Sequence, residues 1–250
     1  MEIVEKYGGY RKLDSFTLVT IIQLGTWKFC SKFLDYKNDP KGRQFDQMTQ
    51  AARSGRANII EGSERAGTSK TTEIRLTDVA RASLAELKGD YEFWLLSNCS
   101  VPWKNSCVDA REVYNVNFDR SPPGVSDGLH DSGSYLLDQF SKLSSWLDSD
   151  DANMVANTMI ILLNRALNML NRQLEAQSKS FKENGGFHER ARTVRHQEIG
   201  KQSQNEVVPK CPECGKLMCR RIAKSGKNEG VSFWGCTGFP DCKATKKIEN

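Results

Sequence analysis

The chain has 250 residues, 38% hydrophobic and 27% charged, with a formal net charge of +5. That is long enough for one to two domains with a real core, and it excludes a disordered chain. No apolar run approaches the roughly 18 residues of a membrane span, and Met1 to Lys12 is too polar for a signal peptide, so a cytoplasmic protein without membrane contact is expected.

After an N-terminal tail, 1–14, helical periodicity starts. The first helix is predicted over about 15–37, with Val19, Ile22, Phe29 and Phe33 near one face. Asp39-Pro40-Lys41-Gly42 breaks the chain. The second spans about 43–65, with Phe45, Met48, Ala52, Gly55, Ile59 and Gly62 at steps of three or four. Gly67-Thr68-Ser69 is a turn, and Ser69 is placed to cap the third helix, about 70–98. Residues 99–132 carry loop signals, such as Ser121-Pro122-Pro123-Gly124, with room for a short helix near 107–117. A further short helix is expected over 133–147. Ser149-Asp150-Asp151 starts the last long one, about 151–183, which Gly185-Gly186 ends. Long helices joined by short turns pack as an antiparallel bundle. The expected organisation is a mainly α chain: a four-helix bundle over 15–184 with an inserted loop region 99–132, a charged linker 185–209 that is partly helical at 188–197, and a small β zinc ribbon over 210–250.

The charge is uneven. Residues 1–178 hold 21 Lys and Arg against 23 Asp and Glu, while residues 179–250 hold 15 against 8. An anionic partner is drawn to the second part. The cysteines divide likewise. Cys30, Cys99 and Cys107 are scattered, whereas Cys211, Cys214, Cys219, Cys236 and Cys242 crowd together, which argues for reduced thiols and metal rather than disulfides.

Cys211-Pro-Glu-Cys214-Gly215 has the form of a tight knuckle whose two thiolates converge on one ion, with Gly215 free to take positive φ. Cys236 and Cys242 complete a tetrahedron around one structural Zn2+. A segment this small has little core, so metal binding supplies folding free energy. Strands are predicted at Lys216 to Ala223 and Val231 to Gly235, joined by a turn at 225–230. Cys219, mid-strand, reads as a spare thiol, with substitution as a ligand the alternative.

CPECG, then GVSFWGCTGFPDC and a following Thr-Lys, resemble the four-cysteine zinc ribbons repeated at the C-terminus of bacterial type I DNA topoisomerases. The resemblance covers about 40 residues and implies a module that binds single-stranded DNA. It implies Cys211, Cys214, Cys236 and Cys242 as zinc ligands. Phe233, Trp234 and Phe239 become stacking candidates, and Arg220, Arg221, Lys224, Lys227, Lys246 and Lys247 the phosphate-facing charge. Neighbours in a strand face opposite ways, so one of Phe233 and Trp234 is expected to pack the ribbon's core. The alternative is that both pack and the ribbon docks on protein.

Residues 51–67, AARSGRANIIEGSERAG, with ARASLAEL at 80–87, resemble the four-helix-bundle proteins encoded in intervening sequences of bacterial 23S rRNA genes. Those are similar to accessory proteins of diversity-generating retroelements, and the bundle with its extension looks like bacterial four-helix-bundle suffix proteins. The resemblance implies a homo-oligomer. Here the bundle is slightly acidic and is interrupted by 99–132. Gly55 and Gly62 permit close helix approach, and Ser83 or Glu86 are the partners expected for Asn58. Arg53, Arg56 and Arg65 read as a solvated face paired with Glu61 and Glu64.

His130, His188 and His196 all fall outside the four long predicted helices, which argues against a di-iron site. No phosphate-binding loop or Gly-x-Ser-x-Gly motif occurs. The expected function is non-enzymatic: a zinc ribbon contacting single-stranded DNA or RNA, with the bundle giving assembly. The alternative is an oligomeric scaffold whose ribbon docks a protein partner such as a reverse transcriptase or nuclease.

Overall fold

The computed structural model describes residues 9–37, 39–104, 106–120, 129–205, 208–223 and 229–248, with the backbone alone for 129–131 and 198–205. The chain is mainly helical and divides into two compact units, Met1–Ala191 and Arg192–Asn250.

In the first unit, α1 (Asp14–Phe33) is buried on almost every side over Ser15 to Ile22. It stops short of the predicted end. Leu34 turns extended, at φ −100° and ψ 98°, and the Asp35 carboxylate accepts the Lys37 N–H at 2.9 Å, an Asx turn that competes with the helix. Arg43–Arg65 forms α2 and Lys70–Ser97 forms α3. The Ser69 hydroxyl accepts the Thr72 N–H at 3.2 Å, so α3 has its expected cap. Met48, Ala52, Gly55, Ile59 and Gly62 are the buried residues of α2. A Cβ on Gly55 would lie 2.7 Å from Leu84 Cδ2, so glycine is what lets α2 approach α3 at this point.

The loop region holds α4 (Val108–Asn115). Loop signals at 121–128 lie outside the described residues. The single short helix expected over 133–147 is two, α5 (Leu129–Ser141) and α6 (Ser144–Leu147). Ala152–Asn184 forms α7. The Asp151 carboxylate accepts the Asn153 N–H at 2.9 Å at its start, and Gly185, at φ 64°, ends it. Arg165 of α7 donates to the Val113 and Val116 carbonyls at 3.1 and 2.9 Å, satisfying the end of α4.

Residues from α1, α2, α3 and α7 share one core, with Val113, Phe140 and Leu147 added from the shorter helices and Leu143 from the turn between α5 and α6. The Phe29 ring meets Tyr91 and Trp94 edge-on, at centroid distances of 5.0 and 5.1 Å. The fully buried Tyr91 hydroxyl donates to Thr26 Oγ1 at 3.2 Å, so this core phenol is satisfied. Asn58 donates to the Ser54 carbonyl and hydroxyl at 2.8 and 3.2 Å, and Ser54 Oγ lies 3.1 Å from Ser83 Oγ. The expected link from Asn58 to Ser83 therefore runs through Ser54. No described helix is long and apolar enough to cross a membrane.

The charged stretch expected to be partly helical forms α8 (Phe187–Asn205), and the division between the units falls within it. In the second unit, β1 (Met218–Ile222), β2 (Ser232–Cys236) and β3 (Thr245–Lys247) make an antiparallel sheet in the order β1-β2-β3. The third strand was not predicted.

Candidate metal centre and nucleic-acid interface

The first Cys pair sits on the knuckle before β1. Gly215 takes φ 71°, and its N–H donates to the Cys211 carbonyl at 3.0 Å; the Cys211 N–H donates in turn to the Lys216 carbonyl at 2.8 Å. Cys236 ends β2, and Cys242 lies three residues before the start of β3. The four Sγ atoms all lie within 4.8 Å of one another. Cys211 and Cys242 sulfurs are 3.7 Å apart, Cys214 and Cys236 sulfurs 3.3 Å. A tetrahedral ion with Zn–S bonds of about 2.3 Å requires sulfurs about 3.8 Å apart, so the cage fits one zinc ion.

The electrostatics agree. Burial raises the Cys211 thiol, but N–H donation from Cys214 and Glu213 and the Cys214 and Cys242 sulfurs bring it down to about 7. Donation from Ala244 lowers Cys242, yet burial and the other three sulfurs push it up to about 12. Four adjacent thiolates need a cation between them. The Gly238 N–H donates to Cys236 Sγ at 3.2 Å, a backbone contact that orients this ligand. Cys219 lies outside the cage, where its sulfur accepts from Arg221 Nε at 3.4 Å. Four thiolates leave no open position, so the site is structural.

The sheet register sorts the other predicted residues. Residues directly opposite in an antiparallel pair share a face. Arg221 opposes Phe233, and Phe233 opposes Lys247; Arg220 opposes Trp234, and Trp234 opposes Lys246. The six therefore divide into two faces of three. Trp234 is only 8% exposed and packs with Cys211, Met218, Cys236 and Ala244. This corrects its placement among the stacking rings: it is the aromatic side chain of the ribbon's small core. Phe233 is half-buried on the opposite face. Phe239 is 57% exposed, and the Arg221 guanidinium carbon stands 5.5 Å from its ring centroid.

The predicted phosphate-facing charge is thus not one surface. Arg221 and Lys247 accompany the half-buried Phe233, with the exposed Phe239 beside Arg221, whereas Arg220 and Lys246 flank the buried Trp234. Lys224 and Lys227 lie outside the described residues. A shallow cleft of about 190 Å³ runs beside Arg221, Phe233 and Phe239 and is also lined by Lys243 and Thr245. Sequence reasoning missed Lys243 because it stands in a loop, and its place on this face depends on the unpredicted β3.

Residues 208–250 match the family model described as topoisomerase DNA binding C4 zinc finger. The DNA topoisomerase 1 of Methanothermobacter thermautotrophicus (strain Delta H) is 41% identical over 49 residues, which is 20% of this chain. The chain covers only 6% of that relative's length. No solved structure matches the chain. The C-terminal unit ends in a four-cysteine zinc ribbon of the topoisomerase type, and this ribbon points to zinc-dependent nucleic-acid binding.

Proposed function

We propose that this is a non-enzymatic protein that holds single-stranded DNA or RNA on one face of its zinc ribbon, with a helical bundle that assembles copies of the chain. The carrying observation is the placement of Phe233, Phe239, Arg221 and Lys247 on or beside one sheet face, opposite the buried Trp234. Aromatic faces stack unpaired bases without demanding sequence, while cations track the backbone. Zinc keeps that face in register, because Cys236 ends the strand that carries Phe233.

For the first unit, the four long helices around one core support an antiparallel four-helix bundle of the kind implied by the resemblance to 23S intervening-sequence proteins. The same resemblance is the support for a homo-oligomer.

The test is binding of the zinc-loaded full chain to single-stranded DNA, single-stranded RNA and duplex over a salt series. Tighter binding to the single strands, with a steep salt slope, is expected. Duplex binding as tight as single-strand binding contradicts the stacking role, and no binding to any of the three contradicts the reading as a whole.

A further inference from the structure

The first unit has its own charge pattern, separate from the ribbon. The groove between α2 and α3 is acidic, lined by Asp46, Glu86 and Asp90. On the other side of α2, a cavity of about 450 Å³ opens against α1 and has no carboxylate in its lining. Arg53 and Arg56 line it, and Trp27, Gln23 and Gln50 form part of its wall.

These groups are unspent. Arg53 is exposed and has no hydrogen bond or ion pair among the described residues, so the expected pairing with Glu61 and Glu64 is not made. Arg56 is half-buried, packed 5.0 Å from the Phe16 ring centroid, with Nε donating to Thr20 Oγ1 at 3.1 Å. Its two terminal nitrogens have no hydrogen-bond partner among the described residues. Burial lowers its pKa, Tyr10 draws it back up, and Arg11 lowers it again. An anion here offsets charge that the protein leaves unbalanced. Beside the two guanidiniums, Trp27 is 58% exposed and is held edge-on against Phe45 at 5.5 Å. An exposed ring fixed by a neighbour is a stacking wall. The Gln23 and Gln50 amides supply both donors and acceptors, as the edge of a planar heterocycle requires.

We propose that this cavity binds a nucleotide, its phosphate on Arg53 and Arg56 and its base against Trp27. The same chemistry is presented by a free mononucleotide and by one nucleotide of a single strand. The site is independent of the ribbon and does not rest on the reading given above.

The test is calorimetric titration of the full chain with AMP, with inorganic phosphate, and with a short dT oligonucleotide. Arg53→Gln and Trp27→Leu are compared with the wild type, and Arg221→Gln marks the ribbon's share of oligonucleotide binding. Arg53 has no partner to lose, so its variant should melt with the wild type. AMP binding that exceeds phosphate binding, and that falls about tenfold or more in Arg53→Gln, supports the site as one for a free nucleotide. If AMP does not bind but Arg53→Gln weakens the oligonucleotide by a similar factor, the site takes a nucleotide within a strand. Phosphate binding as tightly as AMP overturns the proposal, as do affinities for AMP and oligonucleotide that Arg53→Gln and Trp27→Leu leave unchanged. Failure of the ribbon reading would show separately, as indifference to Arg221→Gln.

Discussion

Phe233 and Trp234 are adjacent in β2 and face opposite ways, Trp234 into the ribbon's core beside Cys236 and Phe233 onto the face shared with Arg221 and Lys247. The two rings therefore have separable effects. Replacing Trp234 with Ala should destabilise the ribbon by about 3–5 kcal/mol, the usual cost of emptying an aromatic core position. Replacing Phe233 with Ala should leave ribbon melting nearly unchanged and weaken single-strand binding by about 1–3 kcal/mol. Thermal melting beside binding isotherms separates the two. A Trp234→Ala variant that melts normally would show that the ring is not the core.

The cage predicts a metal result. The protein should carry about one zinc per chain. Cys236→Ser should release the ion and unfold the ribbon while helical circular dichroism persists, because the core of the first unit contains none of the four ligands. Cys219→Ser should retain the metal, its sulfur lying outside the cage. Zinc content that falls in Cys219→Ser and not in Cys236→Ser would overturn the ligand assignment.

Thiolates bind zinc and thiols do not, so loading should release protons and reverse in acid. Cys242, at about 12, is protonated at neutrality and must lose its proton to bind, and Cys211, at about 7, takes up a further proton below neutrality, so affinity should fall as the pH is lowered and fall more steeply below about 7. A zinc affinity independent of pH would contradict a four-thiolate site.

Two glycines of α2 should respond in opposite senses. A Cβ at Gly55 meets Leu84 Cδ2 at 2.7 Å, so Gly55→Ala forces a repacking that should cost about 1–3 kcal/mol. A Cβ at Gly62 meets Leu76 Cβ at 3.4 Å, near ordinary contact, so Gly62→Ala should be neutral or stabilise by up to about 1 kcal/mol. Melting followed by helical ellipticity checks both. Equal destabilisation would place the helices closer at Gly62 than the structure has them.

Much of the helical unit was legible because its signals are local. The predicted bounds of α2 are the observed ones, since Gly42 and the turn at 66–69 punctuate it, and Ser69 caps α3 with its own hydroxyl. The first two ligands were legible because a Cys-x-x-Cys knuckle needs only its own glycine, and Cys236 and Cys242 because they form a second, wider pair close in sequence. What escaped depends on partners distant in sequence. Thr245–Lys247 has three exposed residues and no apolar alternation, so only its pairing with β2 makes it a strand. The division of Arg220, Arg221, Lys246 and Lys247 between two faces follows from that register. The uncompensated Arg53 was hidden for another reason: spacing along a helix shows which charges can meet, not which side chains do.

The most direct test of the nucleic-acid face uses two double variants of equal net charge. Arg221→Gln with Lys247→Gln strips the face of Phe233; Arg220→Gln with Lys246→Gln strips the face of Trp234. Single-strand binding by the zinc-loaded full chain is measured for both over a salt series. The first pair should weaken binding strongly and lower the salt slope by about 1.4, or about 0.7 for each lost phosphate contact. The second pair should change both much less. Equal losses from the two pairs, or a larger loss from the second, would contradict a single-stranded nucleic acid held on the Phe233 face.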